Sequence, residues 1–463
     1  MSTPTLQLEN PATNEIFQTL AMPDKDHVRA MIAQARDAFP AWRRTSLAER
    51  IAVTQRFVNE MRARQEEIAR EITWQMGKPI KQARNEVNTM IDRAQYMAEI
   101  APRALADEML PDKPGFMRKI AHEPRGVVLD VAAWNYPLLI AINIVAPAIL
   151  AGNAVLLKHS ALTPLCALRM QEAYRAAGLP EGVMQAVVVD RTGAETLLTS
   201  PQVDAVFFTG SVPGGYEVYQ AAARGLKRAG LELGGKDPAY VRADADLATT
   251  VANVADGAFY NCGQSCCAVE RVYVDQKIYP QFLEAFLAEV QTYKLGDPLA
   301  EDTYLGPLAQ KKQVGVLRAQ VEEAVQRGAK VLLGGNATTW NGRGNYFEPT
   351  VLSHVTNDMK IMQEESFGPI IAVMPVAGDE EAVRLMNDSR FGLTASIWSR
   401  DEAAALKLAP QLEAGTVYLN RCDYLDPALP WIGYKESGLG CSLSHHGFME
   451  VTRLKSYHFK RAV

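Results

Sequence analysis

The feature that most constrains the fold is an alternation of short apolar runs with stretches of helical periodicity. The apolar runs are Val127–Val131, Ala154–Leu157, Val183–Val189 and Ala205–Phe208, with helical stretches such as Leu162–Ala176 between them. Short apolar runs are typical of strands buried on both faces, and their alternation with helices is typical of a parallel sheet. The sequence therefore predicts an α/β fold with a sheet of the nucleotide-binding type.

The alternation resumes after Pro238, which predicts a second α/β domain. A chain of 463 residues is too long for one hydrophobic core, so more than one domain is expected. Strand patterns lie near Val272, Val331, Ile370, Ser396 and Val417, with helical stretches at Val314–Arg327 and Asp379–Asn387.

Two other stretches have a different character. From about Asp26 to Leu105 the pattern is helical, and Ser46 is a predicted N-cap with Glu49 three residues later. Between Asp107 and Arg125 the chain is rich in proline and then strand-like. This second stretch predicts a hairpin that leaves its domain.

Composition and charge exclude several classes of protein. The net charge is −5 and no basic run stands out, so no nucleic-acid partner is expected. The longest apolar run, Leu138–Ala151, is interrupted by Asn143 and Pro147 and is shorter than the roughly 20 residues of a membrane helix. Residues 1–15 lack the pattern of a signal peptide. We therefore expect a cytoplasmic protein with no membrane partner and with reduced cysteines.

Three of the six cysteines, Cys262, Cys266 and Cys267, surround a Gly-Gln-Ser turn between an apolar stretch and a strand pattern. A thiol at such a turn can point into a cleft. No second Cys or His cluster with ligand spacing accompanies them, so no metal is expected. A disulfide between Cys266 and Cys267 would be strained. Burial of all three thiols in a core is the alternative, and this stretch alone favours it.

A second stretch, Leu231–Lys236, is an apolar strand pattern interrupted by Glu232 and ended by two glycines. Burial of a carboxylate between leucines would raise its pKa towards that of a useful base. The alternative is a solvated glutamate on an edge strand, and periodicity alone does not decide between them.

Together these two stretches resemble the paired motifs of the aldehyde dehydrogenase superfamily, over almost the whole chain. Glu232 lies in L-E-L-G-G-K, and Cys266 lies in F-Y-N-x-G-Q-x-C-x-A. The resemblance implies that Cys266 is the nucleophile and Glu232 the general base. Asn135 lies in a match to W-N-[FY]-P, which implies that its amide and the backbone N–H of Cys266 form an oxyanion hole. Without the resemblance, Asn135 would be interpreted as a turn residue.

The activity implied is NAD(P)-dependent oxidation of an aldehyde to a carboxylic acid through a cysteine thiohemiacetal and a thioester. Acylating relatives pass the acyl group to coenzyme A and typically lack the glutamate, so Glu232 favours hydrolysis by an activated water. One alternative is a thiol hydrolase, which needs a histidine near the cysteine. Only His159 and the pair His445 and His446 lie in motif-like stretches. A catalytically silent binding protein is the other alternative.

The resemblance also implies a nicotinamide dinucleotide site. The turn before Val212 opens a helix whose N–H groups can meet a pyrophosphate, as in the F-T-G-S-x-x-x-G motif. In a match to E-E-x-F-G-P, Glu365 would hold the nicotinamide ribose and Phe367 would pack beside the ring. The predicted cofactor residues are Trp134, Lys158, Ser160, Gly210, Ser211, Gly215, Leu233, Glu365 and Phe367.

The predicted cofactor is NADP or NAD, with NADP at least tolerated. The family commonly has K-P-S-E where this chain has Lys158-His159-Ser160-Ala161. The usual glutamate repels a 2′-phosphate, and Ala161 removes that repulsion while Lys158 keeps a cation. Arg191 either meets the adenosine phosphate or is simply exposed.

The predicted substrate pocket is mixed aromatic and apolar. Its members are Tyr136, Asn143, Tyr260, Leu425 and Trp431, with Asp423 as a further polar exception. Family members that act on succinic semialdehyde often carry arginine where this chain has Tyr260. Arg421 either binds an acid group or is structural. The roles of Asp423 and of Cys441, which replaces part of a usual Arg-Glu pair, stay open.

These assignments predict three parts. Residues 1–105 and 125–235 form a cofactor-binding domain, residues 236–440 form a catalytic domain, and the base and nucleophile face each other across the cleft between them. Residues 106–124 and 441–463 are oligomerisation segments, because the corresponding excursion builds the subunit interface in the resembled family. We expect a homodimer or homotetramer that acts on a small aldehyde.

Overall fold

The structure is a computed structural model that describes residues 4–461. The ends of two predicted segments, 1–3 and 462–463, lie outside the described residues. The first elements are β1 (Thr5–Asn10), β2 (Glu15–Ala21), α1 (Lys25–Trp42), α2 (Leu47–Ala63), α3 (Gln65–Met76) and α4 (Ile80–Ala104). Ser46 caps α2 as predicted, because its Oγ accepts a hydrogen bond from the Glu49 N–H at 3.2 Å. The hairpin of β1 and β2 was not predicted.

The predicted alternation of strands and helices follows. Its elements are β3 (Glu108–Met109), β4 (Phe116–Pro124), β5 (Val127–Ala132), α5 (Pro137–Ala151), β6 (Ala154–His159), α6 (Pro164–Ala176), β7 (Met184–Ala186), α7 (Arg191–Thr199), β8 (Ala205–Thr209), α8 (Val212–Arg224) and β9 (Arg228–Glu232). The apolar run Val183–Val189 gives only the short strand β7, so that strand was predicted too long.

The second half begins with β10 (Asp237–Val241), α9 (Leu247–Phe259), β11 (Val269–Asp275), α10 (Tyr279–Gln291), α11 (Lys311–Gln326), β12 (Lys330–Leu333), β13 (Ala337–Trp340), β14 (Arg343–Phe347), β15 (Thr350–Ser353) and α12 (Lys360–Gln363). It continues with β16 (Ile370–Val376), α13 (Asp379–Asn387), β17 (Phe391–Gly392), β18 (Thr394–Trp398), α14 (Glu402–Leu408), β19 (Thr416–Leu419), β20 (Tyr434–Lys435), β21 (Gly438–Leu439), α15 (Ser444–Val451) and β22 (Thr452–Lys460).

Two large sheets organise the molecule, which confirms the predicted α/β class. One has six strands in the order β21-β9-β8-β5-β6-β7, and only β21 runs antiparallel to its neighbour. The other has seven strands in the order β12-β15-β16-β11-β10-β18-β19, and only β12 is antiparallel. Each sheet is covered by helices because its strands are apolar on both faces.

The first sheet gathers the predicted functional residues at one edge. Asn135 follows β5, Lys158 is near the end of β6, Gly210 follows β8, and Glu232 ends β9. Parallel strands have their carboxyl ends on the same edge of a sheet, where ligands of α/β proteins bind. The topology therefore brings four separate motifs to one crevice.

Helix α5 explains the longest apolar run of the sequence. All of its residues are buried, and it packs against α4 on one side and against β5 and β6 on the other. A helix that is apolar on every side is stable only inside a protein or a membrane. Within residues 4–461, no helix combines the length and apolar character needed to cross a bilayer.

A third, antiparallel sheet has the order β22-β4-β3. Strand β22 pairs with β4 along its whole length, from Thr452 with Pro124 to Lys460 with Phe116. The other edge of β22 has no neighbouring strand in the described chain. Leu454 and Phe459 on β22 are 64% and 54% exposed, so this strand presents two large apolar side chains to solvent.

Candidate active site

Cys266 lies in the loop between α9 and β11. Residues Tyr260–Gly263 form a short 3-10 turn whose two central residues have φ angles of 52° and 57°. Gln264 fixes this turn, because its Nε2 donates to the Asn261 carbonyl at 3.2 Å and its Oε1 accepts from the Ala309 N–H at 2.9 Å. Left-handed backbone outside glycine is strained and is concentrated at functional sites.

A cavity of about 370 Å³ lies between α4, α5, this loop and the segment around Asp423–Trp431. Cys266 and Glu232, predicted from separate stretches of sequence, both line it. The five predicted pocket residues also line it, namely Tyr136, Asn143, Tyr260, Leu425 and Trp431. Of the flanking cysteines, Cys267 lines the cavity and Cys262 is part of the core of the second half.

Glu232 ends β9 and is partly buried. Burial raises its pKa above the ordinary value of a glutamate, and a hydrogen bond from Ser442 Oγ and the charge of Arg93 oppose that rise. A carboxylate with a raised pKa is a better proton acceptor near neutral pH. Ser442 belongs to the Cys441-Ser442 pair, for which sequence reasoning gave no role.

Asn135 is 3% exposed and reaches the cysteine loop rather than lining the cavity. Its Nδ2 donates to the Gln264 carbonyl at 3.2 Å, two residues before Cys266. Its own carbonyl accepts from Asn261 Nδ2 at 3.0 Å. These contacts place the side-chain amide beside the loop that carries the thiol.

A buried ion pair that sequence reasoning missed supports this region. The side chains of Lys78 and Glu86 are 0% and 1% exposed and form a salt bridge. Lys78 Nζ donates to the Asn135 carbonyl at 2.8 Å, and Glu86 Oε1 accepts from the Leu138 N–H at 2.9 Å. Glu86 thereby satisfies one of the free N–H groups at the start of α5. The pair joins α4, the loop after β5 and α5.

Helix α4 supplies cavity residues that sequence reasoning also missed. Asn85, Thr89 and Arg93 line the cavity and are spaced by four residues, so they lie on one face of the helix. Arg93 is 5% exposed, and its Nη1 donates to Asn143 Oδ1 on α5 at 3.0 Å. The four-residue spacing of polar side chains was the available signal.

The structure shows the contacts of Asp423 and Arg421, whose roles the sequence left open. Asp423 Oδ1 accepts hydrogen bonds from Ser265 Oγ at 2.9 Å and Cys267 Sγ at 3.0 Å, and burial raises the pKa of Asp423 to about 6. The Arg421 guanidinium lies 3.4 Å from the centre of the Tyr424 ring, and Arg421 does not line the cavity. Asp423 therefore holds the cysteine loop, and Arg421 stacks outside it.

The glycine turn after β8 has the form of an anion site. Ser211 caps α8, because its Oγ accepts from the Gly214 N–H at 3.4 Å. A Cβ on Gly215 would lie 2.6 Å from Leu233 Cδ2, so a larger residue there would force the Leu233 side chain to move. Pro213 has no N–H and that of Gly214 is bonded to Ser211, so among the first three residues of α8 the Val212 N–H is the donor left for a phosphate oxygen.

The E-E-x-F-G-P match lies beside this turn. Glu365 Oε1 accepts from the Gly235 N–H at 3.0 Å, and burial raises the pKa of Glu365 to about 8. The Phe367 N–H donates to Glu270 Oε1 at 2.8 Å, and the Phe367 ring packs edge-on against Trp134 at 5.4 Å. Residues from both halves of the chain therefore meet here.

Lys158 and Ser160 follow on the same edge. Lys158 is half-buried, and burial lowers its pKa with no carboxylate of the described residues opposing the change. Ser160 Oγ accepts from the Leu162 N–H at 3.3 Å, and Ala161 is exposed. Arg191 is exposed and pairs with Glu217 on α8 at 3.2 Å. A half-buried lysine without a counterion fits a ligand that carries phosphate or hydroxyl oxygens.

The histidines do not support thiol hydrolase chemistry. His159 is buried, its Nε2 lies 2.8 Å from the Pro137 carbonyl, and burial lowers its pKa to about 4. His445 and His446 are exposed on α15. No histidine among residues 4–461 lines the cavity that contains Cys266.

Comparisons with known proteins identify the family. A family model described as the aldehyde dehydrogenase family matches residues 1–457. The succinate semialdehyde dehydrogenase Sad of Escherichia coli (strain K12), named as an NAD(P)+ enzyme, is 37% identical over 448 residues, which cover 96% of each chain. An NADP(+) succinate-semialdehyde dehydrogenase of Mycobacterium tuberculosis (strain ATCC 25618 / H37Rv) is 36% identical over 454 residues, 96% of this chain and 98% of that one.

Solved structures give the same result. An NAD-dependent aldehyde dehydrogenase from Sinorhizobium meliloti superposes with a TM-score of 0.95 at 37% identity, over 99% of this chain and 92% of that one. The chain therefore belongs to the aldehyde dehydrogenase family, as the resemblance of its paired motifs predicted.

Proposed function

We propose that this aldehyde dehydrogenase oxidises its substrate through Cys266 and releases a free carboxylic acid. The observation that carries the proposal is that Cys266 and Glu232 line one cavity of about 370 Å³. The Cys266 thiolate adds to the aldehyde carbon, and the oxygen of the resulting thiohemiacetal becomes an oxyanion. The Asn135 amide and the Cys266 N–H are the proposed donors to that oxyanion.

In the second half of the reaction, Glu232 acts as the general base that activates water. Loss of hydride from the thiohemiacetal carbon leaves a thioester on Cys266. Glu232 then takes a proton from a water molecule, the hydroxide attacks the thioester carbonyl, and the C–S bond breaks. The acid leaves and the thiol is restored. The raised pKa of Glu232, caused by its burial, suits this role.

The residues at the edge of the first sheet fit a nicotinamide dinucleotide, which when bound supplies the hydride acceptor. The start of α8 and the half-buried Lys158 offer donors to phosphate and ribose oxygens. Glu365 and Phe367 are held in place by Gly235 and Glu270 for the ribose and ring of the nicotinamide. Trp134, Ser160, Gly210, Ser211, Gly215 and Leu233 complete the proposed cofactor set. In this proposal, residues 1–105 and 125–235 bind cofactor and 236–440 carry the thiol.

The test is the appearance of reduced cofactor, measured by its absorbance, on mixing the protein with NADP and an aldehyde. Because two of the relatives are named succinate-semialdehyde dehydrogenases, succinate semialdehyde is the first substrate to try. We expect oxidation by the wild type and none by Cys266→Ala. Absence of reduced cofactor with every aldehyde tried would contradict the proposal and favour the silent binding protein.

Cofactor choice gives a prediction of its own. We expect NADP to be used at least as well as NAD, because Ala161 is exposed and carries no carboxylate to repel a 2′-phosphate, while Lys158 can pair with one. A charge-assisted contact of this kind is worth about 1.5–3 kcal/mol, or roughly tenfold to a hundredfold in affinity. Ala161→Glu should shift the ratio of kcat/KM towards NAD by a similar factor.

The control for this prediction is Glu195→Gln, since Glu195 on α7 is the nearest other acid along the chain. This variant should leave the cofactor ratio unchanged. A strong preference of the wild type for NAD would contradict the prediction, and loss of that preference in Glu195→Gln would identify the acid responsible.

Assembly gives another prediction. We propose that residues 106–124 and 441–463 mediate a homodimer or homotetramer, because β22 leaves one edge unpaired among the described residues and exposes Leu454 and Phe459. Light scattering at micromolar concentration should give the mass of two or four chains.

Leu454→Arg should weaken the assembly, since a charge would be buried in an apolar contact. Leu226→Arg is the matched control, as Leu226 is 96% exposed and lies between α8 and β9. A monomeric wild type would refute the proposal.

A further inference from the structure

We propose that Arg93 binds a carboxylate at the end of the substrate remote from its aldehyde, and so determines specificity for aldehydes that carry an acid group. The proposal rests on the proposed function, because it assigns a binding partner to a substrate oxidised at Cys266. No motif led to Arg93, which lies in the middle of the charged helix α4.

The first observation is that the Arg93 guanidinium is buried with donors unused. Arg93 is 5% exposed and lines the cavity. Nη1 donates to Asn143 Oδ1 at 3.0 Å and makes a longer contact of 3.5 Å with the Leu139 carbonyl. Nε is buried and has no partner among the described residues. A guanidinium has five N–H donors and no acceptor, and buried donors are normally satisfied.

The second observation concerns the carboxyl groups of the same cavity. Each of the four accepts a hydrogen bond from the protein, and none accepts one from Arg93. The pairs are Glu86 with Lys78 and the Leu138 N–H, Glu232 with Ser442, Asp256 with Tyr304, and Asp423 with Ser265 and Cys267. Among the described residues that line the cavity, Arg93 is the one cation. Its positive charge is therefore available to pair with an anionic ligand.

The acidic groups also restrict where an anion can bind. Lys78 neutralises Glu86, and Asp256 is exposed, where water screens its charge. Asp423 is held against Ser265 and Cys267. Glu232 and Asp423 are therefore the acids whose charge would repel a substrate anion, and Arg93 is the cation that would accept it. Discrimination by position in this way needs repulsive as well as attractive groups.

The chemistry of the site favours a carboxylate over a phosphate. An arginine binds a carboxylate through two parallel hydrogen bonds, and Asn143 fixes the plane of the guanidinium from the neighbouring helix. One guanidinium balances one negative charge. The second charge of a phosphate monoester would have no cation to pair with and would face Glu232, whose field already reaches Arg93.

The experiment compares two aldehydes with the same four-carbon chain, succinate semialdehyde and butanal. The wild type should prefer the semialdehyde in kcat/KM by at least about tenfold, as expected for charge-assisted hydrogen bonds. Arg93→Gln should reduce that ratio by about tenfold to a hundredfold, and Arg93→Lys should retain part of it. The matched control is Arg103→Gln in the last turn of the same helix, where the side chain is exposed, and it should leave the ratio unchanged.

Several outcomes would overturn the proposal. One is an equal loss of kcat/KM for both aldehydes in Arg93→Gln, which would mean that Arg93 positions Glu232 instead of binding the substrate. Another is a wild type that shows no preference for the semialdehyde. If Arg93→Gln does not fold, inhibition of the wild type decides. Succinate should compete with butanal and succinamide should not, and equal inhibition by the two would overturn the proposal. Cys266-dependent oxidation of butanal without a preference for the acid refutes this inference alone, whereas no reaction with either aldehyde refutes the proposed function as well.

Discussion

Glu232→Gln is expected to produce a single burst of reduced cofactor, about one per active site, and then to stop. The amide cannot take a proton from the water that attacks the thioester, so the acyl group stays on Cys266. Loss of a general base typically lowers the rate by about 10²–10⁴-fold, and that loss should appear in steady-state turnover and not in the burst. Rapid-mixing absorbance measurements resolve the two phases.

Two other variants make this result interpretable. Cys266→Ala should abolish both the burst and the turnover, because no thiohemiacetal forms. Glu99→Gln, an exposed glutamate on α4, should change neither phase. Full steady-state turnover in Glu232→Gln would show that a different base activates the water, and the role given to Glu232 would be wrong.

Lys78→Met is expected to destabilise the protein strongly although Lys78 touches no predicted reacting atom. Removing one partner of a buried ion pair costs about 3–5 kcal/mol, because Glu86 is left with an uncompensated charge inside the protein. The Asn135 carbonyl also loses its hydrogen bond from Lys78. Urea unfolding at one fixed protein concentration should show the loss as a lower midpoint.

A double variant and a surface pair provide the comparison. Lys78→Met combined with Glu86→Leu should recover part of the lost stability, since no isolated charge remains. Lys294→Met, which breaks the exposed pair with Asp302, should change the midpoint little. If Lys78→Met unfolds at the wild-type midpoint, the buried pair does not stabilise the fold and only its effect on activity remains to be measured.

The fold was largely predictable from local patterns. Strands such as β5, β6 and β8 are continuous apolar runs, because both faces of their sheet are covered. Runs of this kind can be recognised in the sequence. The hairpin of β1 and β2 was missed because its mostly exposed residues give no such run. The two-residue strand β21 was missed because only its partner β9, distant in sequence, defines it.

The residues that we propose for the site were found where they lie in family motifs and were missed where their burial results from packing. Cys266, Glu232 and Asn135 lie in recognisable stretches. By contrast, Lys78, Glu86 and Arg93 look like solvated charges, since a charged residue on a polar helix is usually exposed. Glu86 and Arg93 are buried because α5, apolar on every side, packs against α4, and Lys78, just before α4, is buried in its ion pair with Glu86. That burial is a tertiary effect, and within α4 its local signal is limited to the four-residue spacing of Asn85, Thr89 and Arg93.

Strand β21 has a consequence for the order in which the protein becomes active. Gly438 pairs with Glu232, the Leu233 N–H donates to the Ser437 carbonyl at 2.8 Å, and Ser442 donates to the Glu232 carboxylate. Synthesis on the ribosome proceeds from the N-terminus, so Glu232 and Cys266 emerge before the segment that holds the Glu232 side chain in place exists. In the proposed mechanism, the Cys266 thiol therefore meets a fixed Glu232 only when nearly the whole chain has been translated, so the nascent chain lacks a complete catalytic pair.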